Sequence, residues 1–278
     1  MTAVIAPGKI ILFGEYAVLD GHDALVVAVN RYVRCTRRPF GGLRVSAPGY
    51  GEILKTDQGD ERRGSLPFIE HVLESQPGLT GDYVIDSSTF LNAEREPVVK
   101  LGLGSSAAAT VAFLHCIQIA ETPAEPPKQD ALFRCAQDTH HSVQALGSGA
   151  DVAASVYGGA LQYRWVRKNA IPIVGVMDAE KRVDCSTGTA FMKRCSNGES
   201  SLTMVWTGKA ADTRVLVKAA MTAQRENPGS YDTMIQRLGH TSRAGIDAWT
   251  SSDIDALCTA MKTTSETLIH LGEAIGFE

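Results

Sequence analysis

A glycine-rich stretch in the middle of the chain contains residues suited to bind a phosphate group. The stretch is Gly102-Leu103-Gly104-Ser105-Ser106-Ala107. Glycine lets the backbone turn sharply and approach a ligand without a Cβ in the way, and the small residues that follow predict a helix that begins at once. The N–H groups at such a helix N-terminus favour a phosphate, and the serine hydroxyls can bond phosphate oxygens or a magnesium ion. We call residues 102–107 the phosphate loop and expect all six to contact a nucleotide.

The spacing in the phosphate loop differs from that of two common phosphate-binding signatures. It lacks the Lys of GxxxxGK[ST] and the glycine spacing of GxGxxG. A purely structural alternative is a turn that leads into a buried helix, because residues 107–120 are almost continuously small or apolar. Taken alone, the loop leaves both interpretations open.

Two charged residues, Lys9 and Asp151, stand in surroundings that are mostly small or apolar. Lys9 follows the turn dipeptide Pro7-Gly8. Such a lysine is either a surface residue whose stem covers apolar neighbours or a charge held for chemistry. Asp151 comes just after Gly149, in the first turn of a predicted short helix. It either interacts with the helix dipole or places an acid where a substrate hydroxyl can reach it.

Composition and charge restrict the possible partners. The chain has 278 residues, of which 44% are hydrophobic and 21% charged, as in a globular protein, and its net charge of −4 favours neither a nucleic-acid nor a membrane partner. Its six cysteines form no CxxC pair, and no signal peptide or uninterrupted apolar span is present. We therefore expect a cytoplasmic protein that binds neither nucleic acid nor a membrane.

Hydrophobic patterns along the chain predict an α+β fold. The first half alternates short strands, two of them at 25–29 and 32–36, with few helices. It then continues with a buried helix at 105–121 and an amphipathic helix at 128–146. The second half has strand patterns at 171–177 and 202–206, and then helical patterns. Those helices are predicted at 212–226, 231–250 and 252–275.

Three motifs in a fixed order give the chain a family resemblance. They are Pro7-Gly8-Lys9-x4-Gly14-Glu15, the phosphate loop, and Ser148-Gly149-Ala150-Asp151. In residues 1 to about 165 the chain resembles the GHMP superfamily of galactokinase, homoserine, mevalonate and phosphomevalonate kinases. It is most similar to the phosphomevalonate kinase branch, because Tyr16 follows the Glu of the first motif. The resemblance implies a ribosomal-protein-S5-like nucleotide-binding domain at 1–168 and a ferredoxin-like domain at 169–278.

The resemblance also implies an activity, namely ATP-dependent phosphoryl transfer to phosphomevalonate, which gives mevalonate diphosphate. Mevalonate kinase is the alternative within the same class. A relative without catalysis that serves as a ligand sensor is the alternative from another class, although a sensor needs neither Lys9 nor Asp151. The related mevalonate diphosphate decarboxylases lack the Lys of the first motif, so Lys9 speaks against them.

Residue roles follow from the same resemblance. The phosphate loop would hold the triphosphate of ATP, with Ser106 as a ligand of Mg²⁺. Asp151 would orient or deprotonate the attacking oxygen, and Lys9 would pair with Asp151 and neutralise charge on the transferred group. By their chemistry and their closeness to the motifs, three further residues are candidates for binding the acceptor's phosphate and carboxylate: Tyr16, Lys100 and Ser148.

The chain departs from the family pattern in two places. Mevalonate kinases carry a Glu upstream of the catalytic Asp that helps to hold magnesium, whereas this region offers His140 and His141, which we interpret as a polar helix face. The family also has a third glycine-rich loop near its C-terminus, and the glycines after Thr213 are isolated. We therefore expect that the second domain lacks its last segment.

Overall fold

The computed structural model describes residues 1–92, 98–125, 128–145, 147–165, 173–178, 190–191, 204–208 and 213–276. Its strands are β1 (Thr2–Phe13), β2 (Asp23–Arg38), β3 (Leu43–Ala47), β4 (Gly51–Thr56), β5 (Gly59–Gly64), β6 (Gly81–Asp86), β7 (Leu91–Asn92), β8 (Val99–Lys100), β9 (Ala160–Arg164), β10 (Ile173–Asp178), β11 (Ala190–Phe191) and β12 (Met204–Val205). Its α-helices are α1 (Pro67–Glu74), α2 (Ser105–Glu121), α3 (Gln129–Gln144), α4 (Ala150–Tyr157), α5 (Thr213–Glu226), α6 (Pro228–Ser251) and α7 (Ile254–Ala274). Among these elements, no helix combines the length and apolar character needed to cross a bilayer.

The long strand β2 is the centre of the main sheet. One edge of β2 pairs with β1 in antiparallel fashion. The other edge pairs with β9 along Asp23–Val27 and with β6 along Arg34–Arg38. From β6 the sheet continues through β3 and β4 to β5, and from β9 it continues to β10. The two strands predicted at 25–29 and 32–36 are thus one continuous strand, because β1 pairs with it on both sides of Asn30.

Helix α2 is the buried helix that the sequence predicts, with the same bounds. It packs on β1 and β2, while α3 and α4 pack on α2. Small residues such as Ala107, Ala108 and Ala112 are fully buried and let the helix approach the strands closely. Phe113 meets Tyr83 of β6 edge to face, with ring centroids 5.3 Å apart. The start of this helix is therefore fixed relative to the sheet.

The C-terminal helices pack against the segment that joins β1 to β2. Ala17 lies in a second apolar cluster whose other members come from α5, α6 and α7: Ala220, Tyr231, Ile235, Leu238 and Leu271. Helix α6 comes so close that a Cβ at Gly239 would lie 2.2 Å from the His22 ring, and one at Gly245 would lie 2.6 Å from Phe13. The helix begins at Pro228, where Asn227 Oδ1 accepts the Ser230 N–H at 3.4 Å.

A buried carboxylate ties β2 to β9 and α6. Asp23, which is 5% exposed, accepts hydrogen bonds from Arg164 Nε and Nη2, each at 2.7 Å. Arg243 Nη2 lies 2.5 Å from the same carboxylate. Burial raises the pKa of Asp23, but the hydrogen bond and charge of Arg164, together with the charge of Arg243, bring it below its usual value. The ionised form is therefore the one that the fold stabilises.

We predict that Asp23→Asn lowers the free energy of unfolding at pH 7 by about 1–3 kcal/mol, because it leaves two guanidinium groups without their shared anion; solvent around both arginines reduces the effect. Since the folded-state pKa of Asp23 is depressed, its stabilisation is present above the unfolded pKa of about 4 and is lost as the pH falls further. Denaturant melts between pH 7 and pH 3 measure this effect.

The matched control is Asp60→Asn, on the exposed strand β5. The wild-type protein and Asp60→Asn should lose stability alike on acidification, and Asp23→Asn should show a flatter pH dependence. Equal stability of Asp23→Asn and the wild type at pH 7 would contradict the assignment.

Candidate functional site

The phosphate loop passes directly over strand β1. The Lys9 N–H donates a hydrogen bond to the Leu103 carbonyl at 2.9 Å. A Cβ at Gly8 would lie 2.5 Å from that same carbonyl oxygen and 2.5 Å from the Phe90 ring, so only glycine fits there. The pairing of β1 with β2 shifts its register between Pro7 and Lys9, which marks an irregularity at this contact. The first and second motifs of the sequence are therefore in contact.

Gly104 brings the second and third motifs together. A Cβ built on Gly104 would lie 3.4 Å from Lys9 Cγ, 3.6 Å from Lys9 Cε and 3.7 Å from Asp151 Cβ. The lysine stem and the aspartate therefore both lie within 4 Å of one point beside the loop. Gly104 has φ +79°, a conformation that residues with a Cβ rarely adopt. The structure thus brings together Lys9, Gly104 and Asp151.

The N-terminus of α2 offers backbone donors next to this pair. Gly104 is the N-cap residue of α2, and none of the side chains in the described part of the chain caps it. Ser105 and Ser106 are partly exposed, Gly102 is exposed, and Leu103 and Ala107 are buried. The first N–H groups of a helix have no partner within the helix, and the dipole favours an anion there. The phosphate loop therefore has the geometry of an anion-binding site.

Helix α4 positions Asp151. Gly149 precedes the helix with φ +79°, and Ser155 Oγ donates to the Pro7 carbonyl at 2.8 Å, which ties α4 to β1. Asp151 Oδ1 accepts the Val152 N–H at 3.0 Å, and its side chain is 25% exposed. One carboxylate oxygen is thus held by the helix backbone, while the side chain keeps access to solvent.

His140 is a site residue that sequence reasoning missed. It is 7% exposed, and its Nε2 lies 3.9 Å from Asp151 Oδ2 without a hydrogen-bond partner in the described part of the chain. Its ring stacks on Phe68 at 4.8 Å. The interpretation of both histidines as a polar helix face is wrong for His140 and fits only the exposed His141. The available signal was the four-residue spacing from Ala136, which places His140 on the buried stripe of α3.

The turn before α4 is held by two further side chains. Gln137 Nε2 donates to the Ser148 carbonyl at 3.3 Å, and the Tyr163 hydroxyl donates to the same oxygen. The pKa of Tyr163 is raised by burial and then by the negative charge of Asp151, so the phenol stays protonated and remains a donor. These bonds fix the backbone from which Asp151 projects.

The three predicted acceptor ligands lie in different surroundings. Ser148 is buried, and its hydroxyl accepts the Ala150 N–H at 3.3 Å. Tyr16 packs against the second apolar cluster, and burial followed by the charge of Glu15 raises its pKa to about 12. Lys100 is exposed, with its ammonium group 4.6 Å from the centroid of the Tyr50 ring. Their role in binding an acceptor stays a prediction.

Comparison with known proteins finds relatives among small-molecule kinases. Residues 81–159 match the model of the GHMP kinases N terminal domain. This part of the chain, which contains the phosphate loop and Asp151, is a GHMP kinase N-terminal domain. A Streptomyces phosphomevalonate kinase is 26% identical over 98% of this chain and 79% of its own length. A mevalonate kinase of Archaeoglobus fulgidus is 33% identical over 60% of this chain and 54% of its own length.

Solved structures share the fold of this chain. Streptococcus pneumoniae phosphomevalonate kinase, in a complex with phosphomevalonate and AMPPNP, superposes with a TM-score of 0.64 at 16% identity, covering 98% of this chain and 80% of that one. The predicted α+β fold of the GHMP kinase type is confirmed. The domain boundary after residue 168 stays a prediction; in the structure, β10 pairs with β9 in the main sheet.

We predict that His140→Phe lowers kcat about tenfold or more, with the KM for ATP nearly unchanged. Phenylalanine keeps the stack on Phe68 but removes the polar nitrogen that lies 3.9 Å from Asp151 Oδ2, so the carboxylate would face an apolar ring instead. His140→Gln, which restores an N–H donor, should recover much of the kcat. Steady-state ADP release measures all variants.

The exposed neighbour provides the control, since His141→Gln should behave like the wild type. An unchanged kcat in His140→Phe would remove His140 from the site. A loss of kcat that His140→Gln does not reverse would indicate a role in packing only.

Proposed function

We propose that this GHMP kinase transfers the γ-phosphoryl group of ATP to phosphomevalonate and so forms mevalonate diphosphate. The observation that supports the proposal most directly is the placement of Lys9 and Asp151 on Gly104, beside the N-terminus of α2. An ammonium group, a carboxylate and a set of backbone donors next to one another are what phosphoryl transfer needs, because the reaction depends on positioning and charge stabilisation.

The choice of acceptor rests on the relatives. Phosphomevalonate kinases of Streptomyces and of Saccharolobus solfataricus match 98% and 99% of this chain. Mevalonate is the second candidate acceptor, because the Archaeoglobus mevalonate kinase is more identical, at 33%, although over 60% of the chain. The relatives therefore support the mevalonate pathway more firmly than they support either acceptor.

In the proposed reaction, an oxygen of the acceptor's phosphate attacks the γ-phosphorus of ATP. A bond forms between these two atoms as the bond from the γ-phosphorus to the bridging oxygen breaks, and ADP leaves. A phosphomonoester dianion carries no proton on the attacking oxygen, so a strong base is unnecessary. Asp151 then serves to hold Lys9 and to orient the acceptor, and the ammonium group of Lys9 neutralises charge on the transferred group. The phosphate loop supplies donors to the triphosphate.

The residues at the site also fit a magnesium ion. Mg²⁺ prefers hard oxygen ligands and is commonly held by one or two protein groups together with phosphate oxygens and water. Ser106 offers a partly exposed hydroxyl in the first turn of α2. Within the described ranges, no three His, Cys, Asp or Glu side chains form a ready metal cluster. We propose Ser106 as the protein ligand of a Mg²⁺ ion that arrives with ATP and neutralises phosphate charge.

Lys100, Tyr16 and Ser148 remain the proposed ligands of the acceptor. Lys100 is the strongest of the three, because its ammonium group, which lies over the Tyr50 ring, is on an exposed residue and can pair with an acceptor phosphate. Ser148 is the weakest, since its hydroxyl already serves the turn before α4. We further propose that the protein acts on this small molecule as a monomer or a homodimer.

We predict that the purified protein releases ADP from Mg-ATP with phosphomevalonate and not with mevalonate, homoserine or galactose. Asp151→Asn and Lys9→Ala should each lower kcat by roughly 10²-fold or more, because each removes a charge from the reacting centre. The KM for ATP should change little. A coupled assay of ADP release on the four acceptors measures this.

The partly exposed Lys55→Ala, on β4, controls for a general effect of losing a lysine. Turnover of mevalonate alone would replace the proposed acceptor with the second candidate. Wild-type turnover in both Asp151→Asn and Lys9→Ala would remove these residues from the chemistry, and inactivity with all four acceptors would favour a ligand sensor.

A further inference from the structure

A cavity of about 360 Å³ lies between the start of β2, the end of β9 and helix α6. This volume falls within the range of small-molecule sites, about 300–1,000 Å³. Polar and charged side chains dominate its lining: His22, Asp23, Arg164, Gln236, His240 and Arg243. No role in the phosphoryl transfer proposed above involves these residues.

The buried Asp23 organises the positive charge of this cavity. It holds the guanidinium groups of Arg164 and Arg243 on one carboxylate, at 2.7 Å and 2.5 Å. Two like charges that would otherwise repel are thereby kept side by side at one end of the cavity. Two cations against one anion leave a net charge of +1, before any contribution from His22 and His240. The cavity is therefore a pre-formed electropositive site.

Most of the N–H donors of the two arginines are not bonded to Asp23. A guanidinium group carries five N–H donors in a rigid fork, and Asp23 engages two nitrogens of Arg164 and one of Arg243. The two side chains are 37% and 52% exposed. Paired arginine forks match the oxygens of a phosphate group better than a point charge does. Gln236 and His240 add further polar groups from the same face of α6.

The cavity is separate from the phosphate loop. In the pairing of β1 with β2, Lys9 lies opposite Ala28. Asp23 is five residues earlier in β2, which corresponds to about 16 Å along a strand. One ligand phosphate group cannot reach both places. The cavity also joins strands of the N-terminal half to a helix of the C-terminal half, so a ligand bound there would hold the two together.

We propose that this cavity is a second anion site, which binds the phosphate group of a small phosphorylated molecule. The proposal depends on the Asp23 cluster and not on the acceptor or the chemistry at Lys9. A bound phosphate oxygen accepts hydrogen bonds from the free edges of Arg164 and Arg243. Because binding bridges β2, β9 and α6, it stabilises the packing of α6 on the sheet.

Calorimetric titration of the full chain with pyrophosphate tests the proposal, with saturating ADP present so that the phosphate loop is filled. Arg243→Gln should weaken pyrophosphate binding tenfold or more. His240→Gln, which leaves both ion pairs of Asp23 intact, should weaken it several-fold. The matched control is Arg237→Gln, an exposed position on the same helix outside the cavity lining, which should bind as the wild type does. Malonate, an anion without phosphorus, should bind more weakly than pyrophosphate.

Three results would overturn the proposal. The first is that the wild type does not bind pyrophosphate. The second is an equal loss of affinity in Arg243→Gln and Arg237→Gln, which would indicate general charge attraction. The third is an unchanged affinity in both Arg243→Gln and His240→Gln. Equal affinity for malonate would overturn the assignment to phosphate. A near-ultraviolet circular dichroism spectrum of each variant ensures that a lost site is not a lost fold, and His240→Gln keeps the test decisive if Arg243→Gln unfolds.

Discussion

The close approach of the phosphate loop to strand β1 is the constraint on which the site depends. Gly8 gives the Leu103 carbonyl room to accept the Lys9 N–H, and Gly104 lets the loop lie against both the stem of Lys9 and Asp151. At Gly8 a Cβ would clash with the Leu103 carbonyl oxygen at 2.5 Å, and at Gly104 a Cβ would already touch Lys9 and Asp151, so a longer side chain would displace them. Backbone packing thus brings the lysine and the aspartate together, and this placement does not depend on an ion pair between them.

Strand β2 connects this contact to the rest of the molecule. Its edge facing β1 fixes the position of Lys9, while its first residues pair with β9 and hold Asp23. Asp23 in turn anchors α6 through Arg243, and α6 packs so tightly that two of its glycines face side chains of the β1–β2 region. Strand β2 consequently positions both Lys9, opposite Ala28, and the proposed anion site at Asp23, five residues earlier, which connects the two places physically.

Local signals predicted the parts of this structure that short stretches of sequence determine. The bounds of α2 were predicted to the residue, because Gly104 precedes and Thr122 follows an uninterrupted run of small and apolar residues. The convergence of the first two motifs and Asp151 followed from family resemblance. The burial of His140 could have been predicted from its four-residue spacing from Ala136, but the pairing of Asp23 with Arg164 had no such source. That ion pair joins positions 141 residues apart, and no local sequence pattern around either residue predicts its partner. The continuity of β2 was likewise decided by its pairing with β1.

The most direct test of the account compares Gly104→Ala with Gly49→Ala in the ADP-release assay. Both glycines have a left-handed φ, +79° and +82°, so alanine costs each about 1–2 kcal/mol of backbone strain. A Cβ at Gly49 meets nothing within 4 Å, whereas one at Gly104 comes into van der Waals contact with Lys9 Cγ at 3.4 Å and Asp151 Cβ at 3.7 Å. The account predicts similar losses of stability in the two variants, with kcat lowered tenfold or more in Gly104→Ala alone. Equal kcat values in the two variants would show that the packing at Gly104 does not position the reacting groups.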